Sequence, residues 1–149
     1  DAVTLSPYMG FDSVEPFLQH PGKGVYLLGV TSNAGAADVE LHDLADGRKV
    51  FELVGDMTHR AADTPAGPGS IGLVLGLTNV SDEVLGRMPD VPLLIPGLGA
   101  QGGDLETFRG AARETPFVIN VSRGILYPED GSSFTEKAKD YANQIASLT

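Results

Sequence analysis

The chain has 149 residues, 42% of them apolar, and a net charge of −10; this is the size of one ordinary domain and the composition of a folded one, which excludes disorder as the main state. The acidic balance excludes a general nucleic-acid surface, and the absence of cysteine excludes disulfides, thiolate chemistry and Cys-ligated metal. No apolar run approaches the roughly 18 residues that a membrane helix needs, and no basic segment leads into an apolar one as in a signal peptide, so a cytoplasmic protein with no membrane partner is expected.

In chain order, Ala2 to Leu5 reads as a short strand. It starts so abruptly that the N-terminus is expected not to be the native one. Asp12-Ser13-Val14-Glu15 has the form of a capping box, with Pro16 in the first turn and Val14, Phe17 and Leu18 on one face. Gly24 to Val30 is a continuous apolar run of strand length, suited to burial on both faces. Asp46-Gly47 is a turn, after which Val50, Leu53, Val54 and Met57 keep helical spacing over about fifteen residues. Thr64 to Ser70, rich in Pro and Gly, breaks the chain before the next apolar run, Ile71 to Leu77.

Ser81 is placed to cap a short helix carrying Val84, Leu85 and Met88. A strand at Val91 to Ile95, a helix near Leu105 to Ala112 and a strand at Phe117 to Val121 follow. Ser133 with Glu136 forms a second capping box, opening a last helix with Phe134, Ala138, Tyr141, Ile145 and Leu148 as its inner face. About five strands alternating with helices imply an α/β fold with a parallel sheet covered by helices. Two closures fit: a doubly wound open sheet, or part of a (β/α)8 TIM barrel. A complete barrel takes roughly 250 residues, so the second closure means a partial barrel with open edges that needs a partner.

The chemistry gathers in two turns. Pro96-Gly97-Leu98-Gly99-Ala100-Gln101-Gly102-Gly103-Asp104 follows the fourth apolar run, and Ser122-Arg123-Gly124 follows the fifth. Four glycines fall between Gly97 and Gly103, more than a simple turn requires, and bare backbone N–H groups are what a phosphate takes. Arg123 adds a forked cation. In barrels the loops after the last two strands frequently hold a phosphate, so Arg123 and the amides around Gly102, Gly103 and Gly124 are candidates for holding a phosphate monoester.

The same run matches G-x-G-x-x-G, but a dinucleotide site expects an acidic residue about 20 positions on, where this chain has Asn120, Ser122 and Arg123. Thr31-Ser32-Asn33 at the end of the second strand offers hydroxyl and amide groups to the polar edge of a heterocycle, or makes an ordinary Ser/Thr turn. Ser6-Pro7-Tyr8 after the first strand has the same two readings. His20, His42 and His59 are scattered and read as surface residues. No Ser-His-Asp arrangement, carboxylate pair or strand-end lysine is evident, so the chain reads as a binding apparatus with no catalytic group of its own.

Residues 1–12 (DAVTLSPYMGFD), Thr31-Ser32-Asn33, Pro96 to Asp104 and Ser122-Arg123-Gly124-Ile125-Leu126-Tyr127 resemble, in order, the signatures of the orotidine 5'-phosphate decarboxylase family in its longer bacterial form. The resemblance spans the chain. It implies a (β/α)8 barrel, here strands four to eight, a homodimer with active sites near the subunit interface, and no cofactor or metal. It also implies that Gln101 bridges phosphate and pyrimidine on a closing loop, that Arg123 binds the phosphate, and that Thr31 or Ser32 contacts the pyrimidine. Ser6 occupies a position where relatives often carry asparagine.

The family's chemistry rests on an Asp-x-Lys-x-x-Asp motif at the end of the third strand, and that motif does not occur in this chain. The implied partners are therefore an orotidylate- or uridylate-type nucleotide and the N-terminal half of the barrel. Rival readings are a non-catalytic half-barrel that binds a phosphorylated ligand or a complementary half, and another phosphosugar barrel enzyme.

Overall fold

Apolar runs of strand length separated by amphipathic segments produce alternating strands and helices in the computed structural model, which describes residues 1–98 and 113–147. The strands are β1 (Ala2–Leu5), β2 (Gly24–Val30), β3 (Ile71–Leu75), β4 (Leu93–Pro96) and β5 (Phe117–Asn120). The helices are α1 (Phe11–Val14), α2 (Val50–His59), α3 (Asp82–Arg87), α4 (Arg123–Leu126) and α5 (Phe134–Ala146).

All five strands pair in parallel, each with the next in sequence, in the order β1-β2-β3-β4-β5. A doubly wound sheet reverses its strand order at a switch point. Here there is no reversal, and right-handed crossovers then place the covering helices on one face. The closure is that of a half-barrel, which decides between the two arrangements left open by the sequence.

Alternation along the strands divides the sheet into two faces. Val25, Leu27, Ile71, Leu73, Leu93 and Ile95 are fully buried and form one core with Val14, Leu18, Phe51, Val54, Val84 and Met88 from the helical side. The registers Tyr26↔Gly72, Leu28↔Val74 and Leu94↔Val118 set the opposite face. Tyr26, Leu28 and Leu94 there are only half buried and Val118 is 54% exposed. The Tyr26 ring lies across Gly72, where an added Cβ would come within 2.6 Å of it.

Local signals in the sequence are met in most places. The Ser81 hydroxyl accepts from Val84 N–H at 3.2 Å and caps α3. Ser133 and Glu136 make a reciprocal capping box at α5. The expected box at Asp12 to Glu15 does not form: α1 starts after Gly10 (φ 94°), and the Ser13 hydroxyl donates to the Gly10 carbonyl at 2.7 Å. With the helix beginning at Phe11, Asp12 lies inside its first turn and not at the cap position.

The helix after Asp46-Gly47 runs ten residues as α2 and continues as a 3-10 turn over Arg60–Asp63. The inner face of α5 is narrower than its periodicity implies. Tyr141 and Ile145 pack on the core, but Phe134 is 59% exposed and Ala138 is exposed, because among the described residues α5 lies against α4 beyond the last strand. The expected helix at Leu105 to Ala112 and the contact of Leu148 lie outside the described residues.

Candidate functional site

Parallel strands bring their carboxyl ends to one rim, where barrels build their sites. Ser6 follows β1, Thr31-Ser32-Asn33 follows β2, the segment Gly76–Asn79 follows β3, and Ser122-Arg123-Gly124 follows β5. Gln101, Gly102 and Gly103, in the loop after β4, lie outside the described residues.

At the end of β2 the register slips: Leu28 pairs with Val74 and Val30 with Leu75, so Gly29 is an extra residue. Such a bulge re-aims the chain that follows it. Thr31 N–H donates to the Glu40 carboxylate at 2.7 Å. The Thr31 hydroxyl lies 2.9 and 3.0 Å from the two Glu40 oxygens and 2.6 Å from Asn33 Oδ1, so its single proton is shared among acceptors. From β3's side, Asn79 Nδ2 donates to the Thr31 carbonyl at 2.6 Å and to the Asn33 carbonyl at 3.1 Å.

The Ser32 hydroxyl is different. It is shielded from solvent and has no hydrogen-bond partner among the described residues. Gly76 backs onto it: a Cβ at Gly76 would fall 2.3 Å from Ser32 Oγ and 2.5 Å from Ser32 N. Two adjacent hydroxyls that the sequence could not rank are thus in opposite states, Thr31 committed and Ser32 free. Ser6, Thr31, Asn33 and Glu40 line a groove of about 470 Å³ closed on its apolar side by Leu53 and Met57 of α2. Among the described residues the Ser6 hydroxyl is met only by Tyr8 N–H at 3.5 Å, too long to hold it.

At the other end of the rim, Arg123 and Gly124 begin α4 and line a groove of about 690 Å³ with Tyr127, Lys137 and Tyr141. Arg123 is exposed, and its guanidinium has no carboxylate partner among the described residues. Lys137 is paired with Asp130, which raises the lysine pKa and, through that hydrogen bond first, holds the Asp130 carboxyl well below the usual carboxylate range. Gly124 admits Tyr141: a Cβ there would sit 2.3 Å from the Tyr141 oxygen. Arg123 is therefore the free cation of this groove and Lys137 is the neutralised one.

The histidines His20, His42 and His59 are exposed, as their scatter along the sequence implies; the described residues hold no group of three His, Cys, Asp or Glu side chains able to bind a metal. Lys23, just before β2, and Lys49, at the start of α2, are paired with Asp1 and Asp43. Sequence reasoning missed Glu40 and Asn79. They reach Thr31 from 9 and 48 positions away, and no local pattern marks either.

The profile of the "Orotidine 5'-phosphate decarboxylase / HUMPS family" matches residues 1–138. An orotidine 5'-phosphate decarboxylase of Ralstonia nicotianae is 46% identical over 150 residues, covering 95% of this chain and 53% of its own length. Among solved structures, Leishmania donovani UMP synthase superposes with a TM-score of 0.80 at 36% identity, over 99% of this chain and 32% of that one. Leishmania donovani OMP decarboxylase gives 0.75 at 34% identity, over 99% and 56%. The chain spans about half the length of the curated relatives it matches. By its sequence along nearly its whole length and by its half-barrel of parallel strands, this chain belongs to the orotidine 5'-phosphate decarboxylase / HUMPS family.

Proposed function

We propose that this chain is the phosphate- and pyrimidine-gripping part of an orotidine 5'-phosphate decarboxylase, which converts orotidylate to uridylate and carbon dioxide in pyrimidine biosynthesis. One observation carries the reading: the sheet topology assigns Ser32 and Arg123 to one rim, and each keeps its polar group uncommitted.

In this reading Arg123 holds the phosphate dianion together with the amides around Gly102, Gly103 and Gly124, and Gln101 spans from phosphate to base. Ser32 meets the polar edge of the pyrimidine, with Ser6 beside it. The carbon–carbon bond to the carboxylate breaks, the electron pair stays on the ring carbon as carbon dioxide leaves, and a lysine proton quenches it. That lysine belongs to the Asp-x-Lys-x-x-Asp motif, which this chain does not contain, so it is assigned to the N-terminal half of the barrel.

The half-barrel supports the same division. Parallel sheets are normally covered on both faces, and here one face carries Tyr26, Leu28 and Leu94, which the described residues leave only half buried. The assembled unit is taken to be a homodimer. Binding energy from the remote phosphate drives closure and stabilises the transition state. Neither metal nor cofactor enters the proposed reaction.

The test is made on the barrel assembled from both halves. Arg123→Ala lowers kcat/KM for orotidylate by the equivalent of about 2–5 kcal/mol and leaves the unphosphorylated nucleoside nearly unaffected. An equal loss on both substrates overturns the phosphate assignment. The isolated chain leaves orotidylate absorbance unchanged, and turnover by it overturns the placement of the proton donor on the other half.

A further inference from the structure

We infer that Glu40 is a positioning residue, one that fixes the turn after β2 so that Ser32, rather than Thr31, presents its hydroxyl to the substrate's heterocycle. The inference rests on the proposed contact between Ser32 and the pyrimidine.

The bulge at Gly29 leaves residues 31–33 outside the sheet ladder, where strand pairing no longer sets their conformation. Glu40 replaces that restraint. Its carboxylate accepts both donors of Thr31, the backbone N–H at 2.7 Å and the hydroxyl at 2.9 and 3.0 Å. A carboxylate has no donor of its own, so it orients both groups at once. Asn79 holds the other side of the same peptide units through the Thr31 and Asn33 carbonyls.

With Thr31 held on both sides, Ser32 is fixed against Gly76 and its hydroxyl is the one left without a partner. An unpartnered buried hydroxyl is costly in the free protein and is satisfied when a ligand atom meets it. Glu40 and Asn33 Oδ1 together occupy the Thr31 hydroxyl, which therefore does not compete for the same edge of the ligand. Glu40 is half buried and lines the groove between the loops after β1 and β2 with Thr31 and Asn33, but its carboxylate is taken up by Thr31, so it acts on the substrate through the turn.

Glu40→Gln keeps an acceptor for Thr31 N–H, and its amide can donate to the Thr31 oxygen while the hydroxyl proton goes to Asn33 Oδ1. The turn survives that exchange. Glu40→Ala removes both contacts.

The experiment is a double-mutant cycle on the assembled two-half enzyme, read as kcat and KM for orotidylate, with circular dichroism as the check on folding. Ser32→Ala and Glu40→Ala each lower kcat/KM by about tenfold or more, the loss expected for one substrate hydrogen bond. The double variant is no worse than Ser32→Ala alone, and Glu40→Gln stays close to the parent. An additive double variant, or a neutral Glu40→Ala, overturns the inference and leaves the contact from Ser32 standing. A neutral Ser32→Ala beside a defective Arg123→Ala overturns that contact and the inference with it. Where Glu40→Ala is unfolded, Thr31→Val takes its place in the cycle and is read by the same two outcomes.

Discussion

Thr31 and Ser32 have the same functional group and adjacent places in the chain, yet among the described residues only Thr31 has its hydroxyl committed to protein partners. The difference comes from residues distant in sequence: Glu40 and Asn79 bind the first, and Gly76 crowds the second. Gly76 is needed for space and not for backbone freedom, since its φ is −75°. Gly76→Ala would press a methyl against the Ser32 backbone N at 2.5 Å and the Thr31 carbonyl carbon at 2.8 Å, and backbone atoms cannot yield as a flexible side-chain tip does. Overpacking of this kind costs about 1–3 kcal/mol. The variant is therefore expected to lower the urea midpoint and to raise KM for orotidylate in the assembled enzyme. An unchanged midpoint and KM would show that the turn after β2 has room to move.

Among the elements, β4 and β5 are tied at their amino ends, the opposite end of the sheet from the candidate site. The Asp90 carboxylate accepts from the Thr115 hydroxyl at 2.6 Å and from Glu114 N–H at 3.0 Å. Arg113, largely buried, donates to the Pro89 and Val91 carbonyls at 2.8 and 2.9 Å. The Thr115 hydroxyl first, and then Glu114 N–H, hold the Asp90 carboxyl below its ordinary value of 3.8. A carboxyl depressed on folding contributes stability that is complete above the unfolded value and is lost as pH falls through the folded one. The Tm difference between the parent and Asp90→Asn is thus expected to be constant from about pH 5 to 8 and to shrink below about pH 4. A difference independent of pH in that acid range would mean that the tie does not depend on the charge.

For the whole molecule, the consequence of five strands covered on one face is an apolar surface that includes Tyr26, Leu28, Leu94 and Val118. Alone, the chain is expected to self-associate and to bind an apolar dye, and addition of the N-terminal half to replace both behaviours with one defined complex. A dye-free monomer in sedimentation of the chain alone would contradict this. Much of the fold was legible in the residues themselves. Apolar runs such as Gly24 to Val30 and Phe117 to Asn120, and the caps at Ser81 and Ser133, act over a few positions and so leave a local mark. The same locality made Arg123 and the Thr31-Ser32 pair recognisable as candidates at strand ends. Where the surroundings overrode a local pattern it failed, as at Asp12, which falls inside a helix that begins at Phe11, and at Phe134, which is left exposed beyond β5. Sequence alone determined the alternation of strands and helices, the missing lysine motif and the identity of the polar groups at the rim. Tertiary structure alone decided that the sheet winds once and that Glu40 and Asn79 lock the turn around Ser32, because strand order and contacts across 9 to 48 positions arise from packing and not from any neighbouring residue.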